Sequence, residues 1–247
     1  MATKRRAETA QENREKMIQA ARKAFAEKGY AAASMDELTA SVGLTRGALY
    51  HNFNDKKGLL AAVVAQIDSE MAANAKAIAA AAEDDWERLL AEGIAYIKMA
   101  LVPEVQRIVL LDGPAVLGDP AQWPSQNSCL ESTRQTIEKM MECNVIKKMD
   151  ARVAAHLLNG AALNAALLIA ASEEPQKTLP HAIECLLCWQ AGYAAANDLY
   201  ATRPPSTLHQ SVRQSGVSSG HGAGRPVRQR YCRARQLLPG ASPAPGR

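Results

Sequence analysis

The chain has 247 residues, with 29 Lys and Arg against 25 Asp and Glu, and this small positive balance hides a strong asymmetry. Residues 1–60 carry 11 basic and 7 acidic side chains, residues 61–200 carry 10 and 18, and residues 201–247 carry 8 and none. This distribution argues against a uniformly basic, histone-like protein. It indicates an anionic partner for one part of the chain.

The composition also indicates the kind of secondary structure and the cellular location of the protein. Aromatic residues make up 4% of the chain, so the core must rely on Ala, Leu, Ile, Val and Met, which favours helices. No apolar segment typical of a signal peptide follows the basic start. The longest apolar stretch, 161–171, is interrupted by Asn164 and is too short to span a bilayer. We therefore expect a cytoplasmic protein without membrane contact.

Apolar residues recur at helical spacing between residues 10 and 200, without a convincing strand or an internal repeat, and this predicts an all-α fold. A flexible basic arm, residues 1–9, is expected before the first helix. The predicted helices are 10–28, 35–41, 46–52, 56–82, 84–101, one from Pro103 to about Leu111, 127–144, 150–171 and 176–200. Residues 112–124 are rich in Gly and Pro and are predicted as a loop with at most one helical turn. The helix 150–171 is apolar almost all round, so burial of both its faces is expected.

Capping residues and glycines set the boundaries of the first helices. Gly29 stands where a left-handed residue commonly ends a helix. Ser34 followed by Glu37 is a capping-box signature that predicts a helix at 35–41. Gly43 suits the turn that follows, and Thr45 is expected to cap the next short helix.

The last segment, 201–247, differs from the rest of the chain. It contains 6 Pro, 6 Gly and 6 Ser among its 47 residues, with eight arginines and neither lysine nor acid. Such a segment cannot bury enough apolar surface to offset its chain entropy, so it is predicted to be disordered. Two interpretations remain for it: a nonspecific DNA-binding extension, or sequence that carries no selected function.

The segment 34–57 carries the strongest functional signal. It is predicted as a helix, a glycine turn and a short second helix with the sequence TRGALYHNF from Thr45. Gly47 and Ala48 are small enough to let the backbone approach a surface, so Arg46 can reach guanine edges in a major groove. The remaining polar side chains are donors that suit phosphate oxygens: Thr45, Tyr50, His51, Asn52 and Lys56. An ordinary helical hairpin is the alternative to this DNA-binding interpretation.

Residues of about 14–60 resemble the DNA-binding domain of TetR/AcrR-type transcriptional regulators. The matching stretches are 25–30, 34–38, 42–50, Phe53, 55–56 and 59–60. The resemblance implies a helix-turn-helix whose second helix enters the major groove, with Arg46, Gly47 and Ala48 nearest the bases. It implies phosphate contacts from Ser34, Thr45, Tyr50, Asn52 and Lys56. The chain departs from the family at Asn52, where many members have histidine, and His51 stands one place earlier.

The resemblance also implies a variable C-terminal domain that binds a small effector and dimerises through its last two long helices. Candidate effector-binding residues are Tyr96, Asp112, Trp123, His156 and Asn159. The polar members of this set are also suited to helix capping and interhelical hydrogen bonds, and the aromatic members to core packing. With so few aromatics, an aliphatic cavity is expected ahead of an aromatic box for a cationic drug.

The remaining motifs are weak. The cysteines, which form an odd set and are interpreted as reduced thiols, are Cys129, Cys143, Cys185, Cys188 and Cys232. Cys185 and Cys188 form a C-x-x-C inside a predicted helix, and His181 is near them. Structural zinc needs four ligands, so no metal is expected. No constellation of catalytic or cofactor-binding residues stands out, so neither a cofactor nor an enzymatic activity is expected.

Together these features predict a homodimeric transcriptional regulator that binds a pseudo-palindromic DNA operator. A repressor released by a small-molecule effector is the expected mode of action. The expected divisions are an arm at 1–9, a DNA-binding domain at 10–55, an effector-binding and dimerisation domain at 56–200 and a tail at 201–247. The alternative is an effector-binding or metal-binding helical module without DNA activity.

Overall fold

The computed structural model describes the backbone of residues 2–202 and the side chains of residues 8–188, and within these limits the chain is helical without strands. The predicted all-α fold is thus confirmed. The α-helices are α1 (Ala2–Lys28), α2 (Met35–Ser41), α3 (Arg46–Phe53), α4 (Lys56–Ala79), α5 (Asp85–Lys98), α6 (Gly113–Leu117), α7 (Pro124–Glu142), α8 (Ala151–Ala171) and α9 (Pro175–Thr202). Short 3-10 turns lie at Met99–Leu101 and Pro120–Gln122, and a π-helical segment at Val105–Asp112.

Local side-chain chemistry begins and ends the first helices as predicted. The side chains of Ser34, Thr45 and Asp55 each accept a hydrogen bond from the backbone N–H three residues later, at the starts of α2, α3 and α4. Gly29 (φ +80°) and Gly43 (φ +68°) have left-handed backbone conformations that glycine adopts without strain. These caps fix the turns between the first four helices.

One large apolar core joins the N-terminal helices to the rest of the chain. Phe25 of α1, Leu49 and Phe53 of α3, and Leu59 and Leu60 of α4 are almost wholly buried. The same cluster extends into the C-terminal helices as far as α9. Helix α4 therefore packs against α1 and α3 of the N-terminal bundle as well as against α5 and α7.

Helix α1 begins earlier than expected. Its backbone is helical from Ala2, eight residues before the predicted start at Ala10. Residues 2–16 are rich in Ala, Arg, Glu and Lys, which are strong helix formers, and contain no Gly or Pro to stop the helix. The predicted flexible arm thus has helical backbone from Ala2, and the side chains of Lys4, Arg5 and Arg6 lie outside the described residues.

The segment 112–124 contains more helix than the single turn allowed for in the prediction. Helical backbone continues from Pro103 through the π-helical segment and α6 to Leu117, and Gly118 (φ +91°) ends it. Gly113 lets the Trp123 ring pack closely against this helix, because a Cβ there would lie 2.8 Å from the ring. Pro114 lies in the first turn of α6, where proline is tolerated.

Helix α8 has the predicted bounds but not the predicted burial. Val153, Leu157 and Leu168 are 54%, 69% and 61% exposed in the single chain. Among the described residues α8 is the one helix long and apolar enough to cross a bilayer by length and composition, a test that the core helix of a soluble protein also passes. The exposed apolar residues of α8 lie along one outer face of the helix.

The C-terminal expectations are tested only in part. Helix α9 begins at Pro175 and runs to Thr202, two residues into the segment predicted as tail. Residues 203–247 and the side chain of Trp189 lie outside the described residues.

Candidate nucleic-acid interface and effector cleft

Helix α3 presents polar residues outward from a buried apolar base. Leu49 is 1% and Phe53 6% exposed, and these two side chains fix the helix on the N-terminal core. The exposed residues include Thr45, Arg46, Gly47, Tyr50 and His51, and Ala48 is half-buried. The structure thus brings most of the predicted DNA-binding residues together on one surface.

In the free protein Arg46 is already engaged. Its Nη2 donates to Asp36 Oδ2 at 2.6 Å, and its Nε contacts Asp36 Oδ1, so the guanidinium makes a bidentate pair with a carboxylate of α2. Both side chains are more than 60% exposed. Because a guanine edge would use the same donor pair, DNA must compete with Asp36 for Arg46. The sequence interpretation missed Asp36, whose partner is ten residues away.

Two of the side chains predicted to contact phosphate already donate hydrogen bonds within the domain. Asn52 Nδ2 donates a hydrogen bond to the carbonyl of Ala48 at 2.7 Å, so one of its two amide hydrogens is already bonded within α3. Lys56 Nζ donates to the carbonyl of Ala31 at 3.3 Å and lies 4.6 Å from the centre of the Tyr30 ring. Partial burial lowers the pKa of Lys56. The neighbouring Lys57, which was not singled out from the sequence, is exposed.

Ser34 is half-buried and caps α2. Its partner in the predicted capping box, Glu37, does not close the box but pairs with Lys28 at 2.7 Å. That ion pair links the end of α1 to α2. The α2 N-terminus remains close to the surface formed by α3.

A polar junction joins the N-terminal bundle to the π-helical segment. Asp112 Oδ2 accepts a hydrogen bond from the Tyr30 backbone N–H at 2.8 Å. Arg107 Nη2 donates to the Lys28 carbonyl at 3.3 Å and lies over Gly29, where a Cβ would be 2.2 Å from this nitrogen. Gly29 is thus needed for its left-handed backbone conformation, and a side chain there would also displace the flexible Arg107 guanidinium.

A second polar tie joins α1 to α4 and to the residue that precedes the π-helical segment. Arg22 of α1 donates to both carboxylate oxygens of Glu104, at 2.6 and 2.7 Å, and to Glu70 of α4 at 2.8 Å. These hydrogen bonds hold the pKa of Arg22 above its ordinary value. Both ties involve charged side chains, so the junction between the two regions is strongly polar on its surface.

A cleft lies between α4, α5, α7, α8 and α9 in the C-terminal region. Two predicted effector-binding residues, Tyr96 and Asn159, line it. The other three lie elsewhere: Asp112 is at the junction, Trp123 is buried against Gly113, and His156 is exposed on α8. These three residues therefore lie outside the cleft, because the continued helix 103–117 carries Asp112 to α1 and His156 occupies the outer face of α8.

The cleft contains a carboxylate that the sequence interpretation missed. Asp68 of α4 is 3% exposed and accepts hydrogen bonds from Gln126 Nε2 of α7. Burial raises the pKa of Asp68 above its ordinary value, although hydrogen bonds from Ser125 and Gln126 oppose this. A signal was present in the sequence, since Asp68 lies on the apolar stripe of α4 between Val64 and Met71.

The cysteine motif gains no support as a metal site. Cys185 and Cys188 are thiols exposed on α9. Among the described residues no group of three or more His, Cys, Asp or Glu side chains is placed to hold a metal ion. The interpretation as a metal-binding module therefore has no basis in that part of the chain.

Comparisons with known proteins agree with this geometry. Residues 17–63 match the family described as bacterial regulatory proteins, tetR family, and residues 86–188 match the tetracyclin repressor-like C-terminal domain. A crystal structure of a TetR-family transcriptional regulator from Pectobacterium atrosepticum is similar, with a TM-score of 0.69 and 45% identity. That match covers 75% of this chain and 95% of the other.

More distant relatives are also transcriptional regulators. The regulator AcrR of Shigella flexneri is 28% identical over 148 residues, 58% of this chain and 69% of that protein. The repressor AcnR of Corynebacterium diphtheriae is 39% identical over 59 residues, which span 24% of this chain and only 31% of the repressor. The chain belongs to the TetR family and is a DNA-binding transcriptional regulator.

Proposed function

We propose that the protein is a homodimeric repressor that binds a pseudo-palindromic operator and leaves it when a small molecule occupies the cleft. The observation that carries the proposal is the exposed face of α3, where Arg46 and Tyr50 project from a helix fixed by buried Leu49 and Phe53. We assign residues 10–55 to DNA binding and residues 56–200 to effector binding and dimerisation. We place the protein in the cytoplasm, where operator DNA is found.

Base reading is assigned to the start of α3. Arg46 supplies the bidentate donor, and Gly47 and Ala48 let the helix approach the bases closely. Phosphate contacts are assigned to the exposed Thr45, Tyr50 and His51, with smaller roles for Ser34, Asn52 and Lys56, which are half-buried. The N-terminus of α3 adds oriented backbone N–H groups to this surface.

The dimer is assigned to the outer face of α8 with the adjacent face of α9. Val153, Leu157 and Leu168 are spaced along one side of α8 and are each more than half exposed. Exposed apolar patches of this kind mark protein–protein contacts. A second copy of the same face gives the two-fold symmetry that a pseudo-palindromic operator requires.

Helix α4 is the element that connects the cleft to the DNA-binding surface. Asp68, near its middle, lines the cleft, and Lys56, at its first position, contacts Ala31 and Tyr30 of the N-terminal bundle. An effector that binds one orientation of α4 better than another shifts the spacing of the two recognition helices. Its effect on operator affinity is limited to this difference in affinity.

The test is a titration of operator DNA with the full chain. The DNA is the promoter region upstream of the gene, compared with a scrambled sequence of equal length at several salt concentrations. The proposal expects a footprint with two-fold symmetry, with half-sites about one helical turn apart or more. Equal affinity for both DNAs contradicts the proposed operator binding.

A further inference from the structure

A buried carboxylate without a cation lies at the inner end of the cleft. The Asp68 oxygens accept hydrogen bonds from Gln126 Nε2 at 3.1 and 3.5 Å. Among the described residues no Lys, Arg or His side chain acts on Asp68 as an ionic partner. Buried charges in proteins are normally paired or bound to a cation. Asp68 therefore offers a carboxylate to a positive group that enters the cleft.

An unpartnered hydroxyl lies beside this carboxylate. The Tyr96 hydroxyl oxygen is inaccessible to solvent and has no hydrogen-bond partner among the described residues. Burial, and after it the charge of Asp68, raises the pKa of Tyr96, while the neighbouring Gln126 side chain opposes the rise without making a well-formed hydrogen bond to the hydroxyl. Asp68, Tyr96 and Gln126 line the same cleft. Buried polar groups are rarely left without a partner. A group that lines a cleft and lacks one indicates that a ligand supplies it.

The rest of the lining is mixed: it contains one further carboxylate, one lysine, several neutral polar side chains and apolar walls. Glu92 is half-buried, with its pKa raised by burial, and Lys76 acts on Glu92 rather than on Asp68. The walls include the small or aliphatic side chains Ala72, Ala75 and Leu89. The cleft thus carries two carboxylates against one lysine, and that lysine acts on Glu92, so the Asp68 end favours a cation over an anion and the walls accommodate an apolar body.

We propose that the cleft binds a small organic cation, a protonated amine whose ammonium group lies between the Asp68 carboxylate and the Tyr96 hydroxyl. An ammonium has three donors and no acceptor, so it donates to Asp68 and to the lone pair of the Tyr96 oxygen. The cavity volume is about 100 Å³, and an engineered cavity of about 150 Å³ accepts benzene. The apolar body is thus no larger than one small ring. This inference deepens the proposed function, because it names the chemical class of the effector.

The experiment titrates the full chain with three probes of matched shape: cyclopentylamine, cyclopentanol and cyclopentanecarboxylate. Binding is measured by calorimetry and by thermal shift at constant ionic strength, at a pH where the amine is protonated. The expected result is millimolar binding of the amine alone. Asp68→Asn lowers the affinity for the amine at least about tenfold, and Tyr96→Phe lowers it about threefold. Glu173→Gln, which removes an exposed carboxylate outside the cleft, leaves it unchanged.

Three results overturn the inference: equal binding of the alcohol, tighter binding of the carboxylate, or amine binding that Asp68→Asn does not weaken. Absence of binding by all three probes at millimolar concentration overturns it as well. The titration contains no DNA, so its outcome is independent of operator binding. A separate DNA titration measures operator affinity with and without the amine. If the amine binds through Asp68 but leaves operator affinity unchanged, the ligand site is supported and the proposed release by an effector is contradicted.

Discussion

The Asp112 carboxylate holds the Tyr30 backbone, with 2.8 Å between Oδ2 and the amide nitrogen, and so joins two residues 82 positions apart in the chain. Tyr30 follows the left-handed Gly29 at the end of α1, and Asp112 ends the π-helical segment. Arg107 Nε lies 3.7 Å from the same carboxylate. The DNA-binding bundle is therefore attached to the C-terminal region by a charged hydrogen bond as well as by apolar packing.

Removing this attachment is expected to destabilise the junction. Asp112→Ala leaves the Tyr30 N–H without its acceptor, which costs about 1–2 kcal/mol of unfolding free energy. The measurements are chemical denaturation and amide hydrogen exchange, where the Tyr30 amide should lose protection. Glu142→Ala, which removes an exposed acid from the end of α7, serves as the control and should change neither quantity. Full protection of the Tyr30 amide in Asp112→Ala contradicts this role.

Asp36 is expected to restrain DNA binding. Asp36→Asn frees Arg46 from its ion pair and removes a negative charge from the proposed DNA surface. Because exposed ion pairs contribute about 0.2–1 kcal/mol, operator affinity should rise about two- to fivefold. Binding is measured by fluorescence anisotropy at fixed salt.

A double-mutant cycle separates these two effects. In the Arg46→Ala background, Asp36→Asn should give a smaller gain, since there is no guanidinium left to free. If Asp36→Asn weakens operator binding in the otherwise unchanged chain, the proposed competition between Asp36 and DNA is wrong.

The sequence predicts this fold well where the interactions are local. Ser34 and Thr45 cap their helices through backbone groups three residues away, so their pattern can be read directly from the chain. Asp112 could not be assigned in this way because its partner is in another region. Val153 and Leu157 show the same limit: their exposure depends on the tertiary fold and, in the proposed dimer, on a second copy, and neither can be read from helical periodicity.

The apolar face of α8 is expected to carry the dimer. Leu157→Glu places a charge on the proposed interface, and the dimer dissociation constant should rise at least about tenfold. Analytical ultracentrifugation over a range of concentrations measures it. Val145→Glu is a matched control, since Val145 is an exposed apolar residue that lies outside α8. If Leu157→Glu and Val145→Glu sediment alike as dimers, the interface lies elsewhere.

Asp68 should make stability depend on pH in a defined direction. Its pKa is raised in the folded protein above the ordinary 3.8, so the native state binds the proton more tightly than the unfolded chain does. The resulting stabilisation is complete below pH 3.8 and is lost as the pH rises through the folded pKa. Asp68→Asn should therefore have the higher Tm at neutral pH, and the difference should shrink as the pH falls towards 3.8.

Thermal unfolding of both chains between pH 4 and 8 measures this dependence. Asn preserves the acceptor for Gln126, so the comparison reports mainly on the charge. A Tm difference that does not vary with pH, or that grows towards acid pH, contradicts a raised pKa at Asp68.

The most direct test of the central claim measures whether α3 reads base pairs through Arg46. Affinities for operator and scrambled DNA are compared in the wild-type chain, Arg46→Ala and Lys56→Ala, at several salt concentrations. Arg46→Ala should reduce the operator-to-scrambled ratio about tenfold, because a bidentate base contact is worth about 1–3 kcal/mol. Lys56→Ala should weaken binding to both DNAs alike and reduce the salt slope by up to about 0.9. An unchanged ratio in Arg46→Ala would contradict the assignment of α3 as the recognition helix.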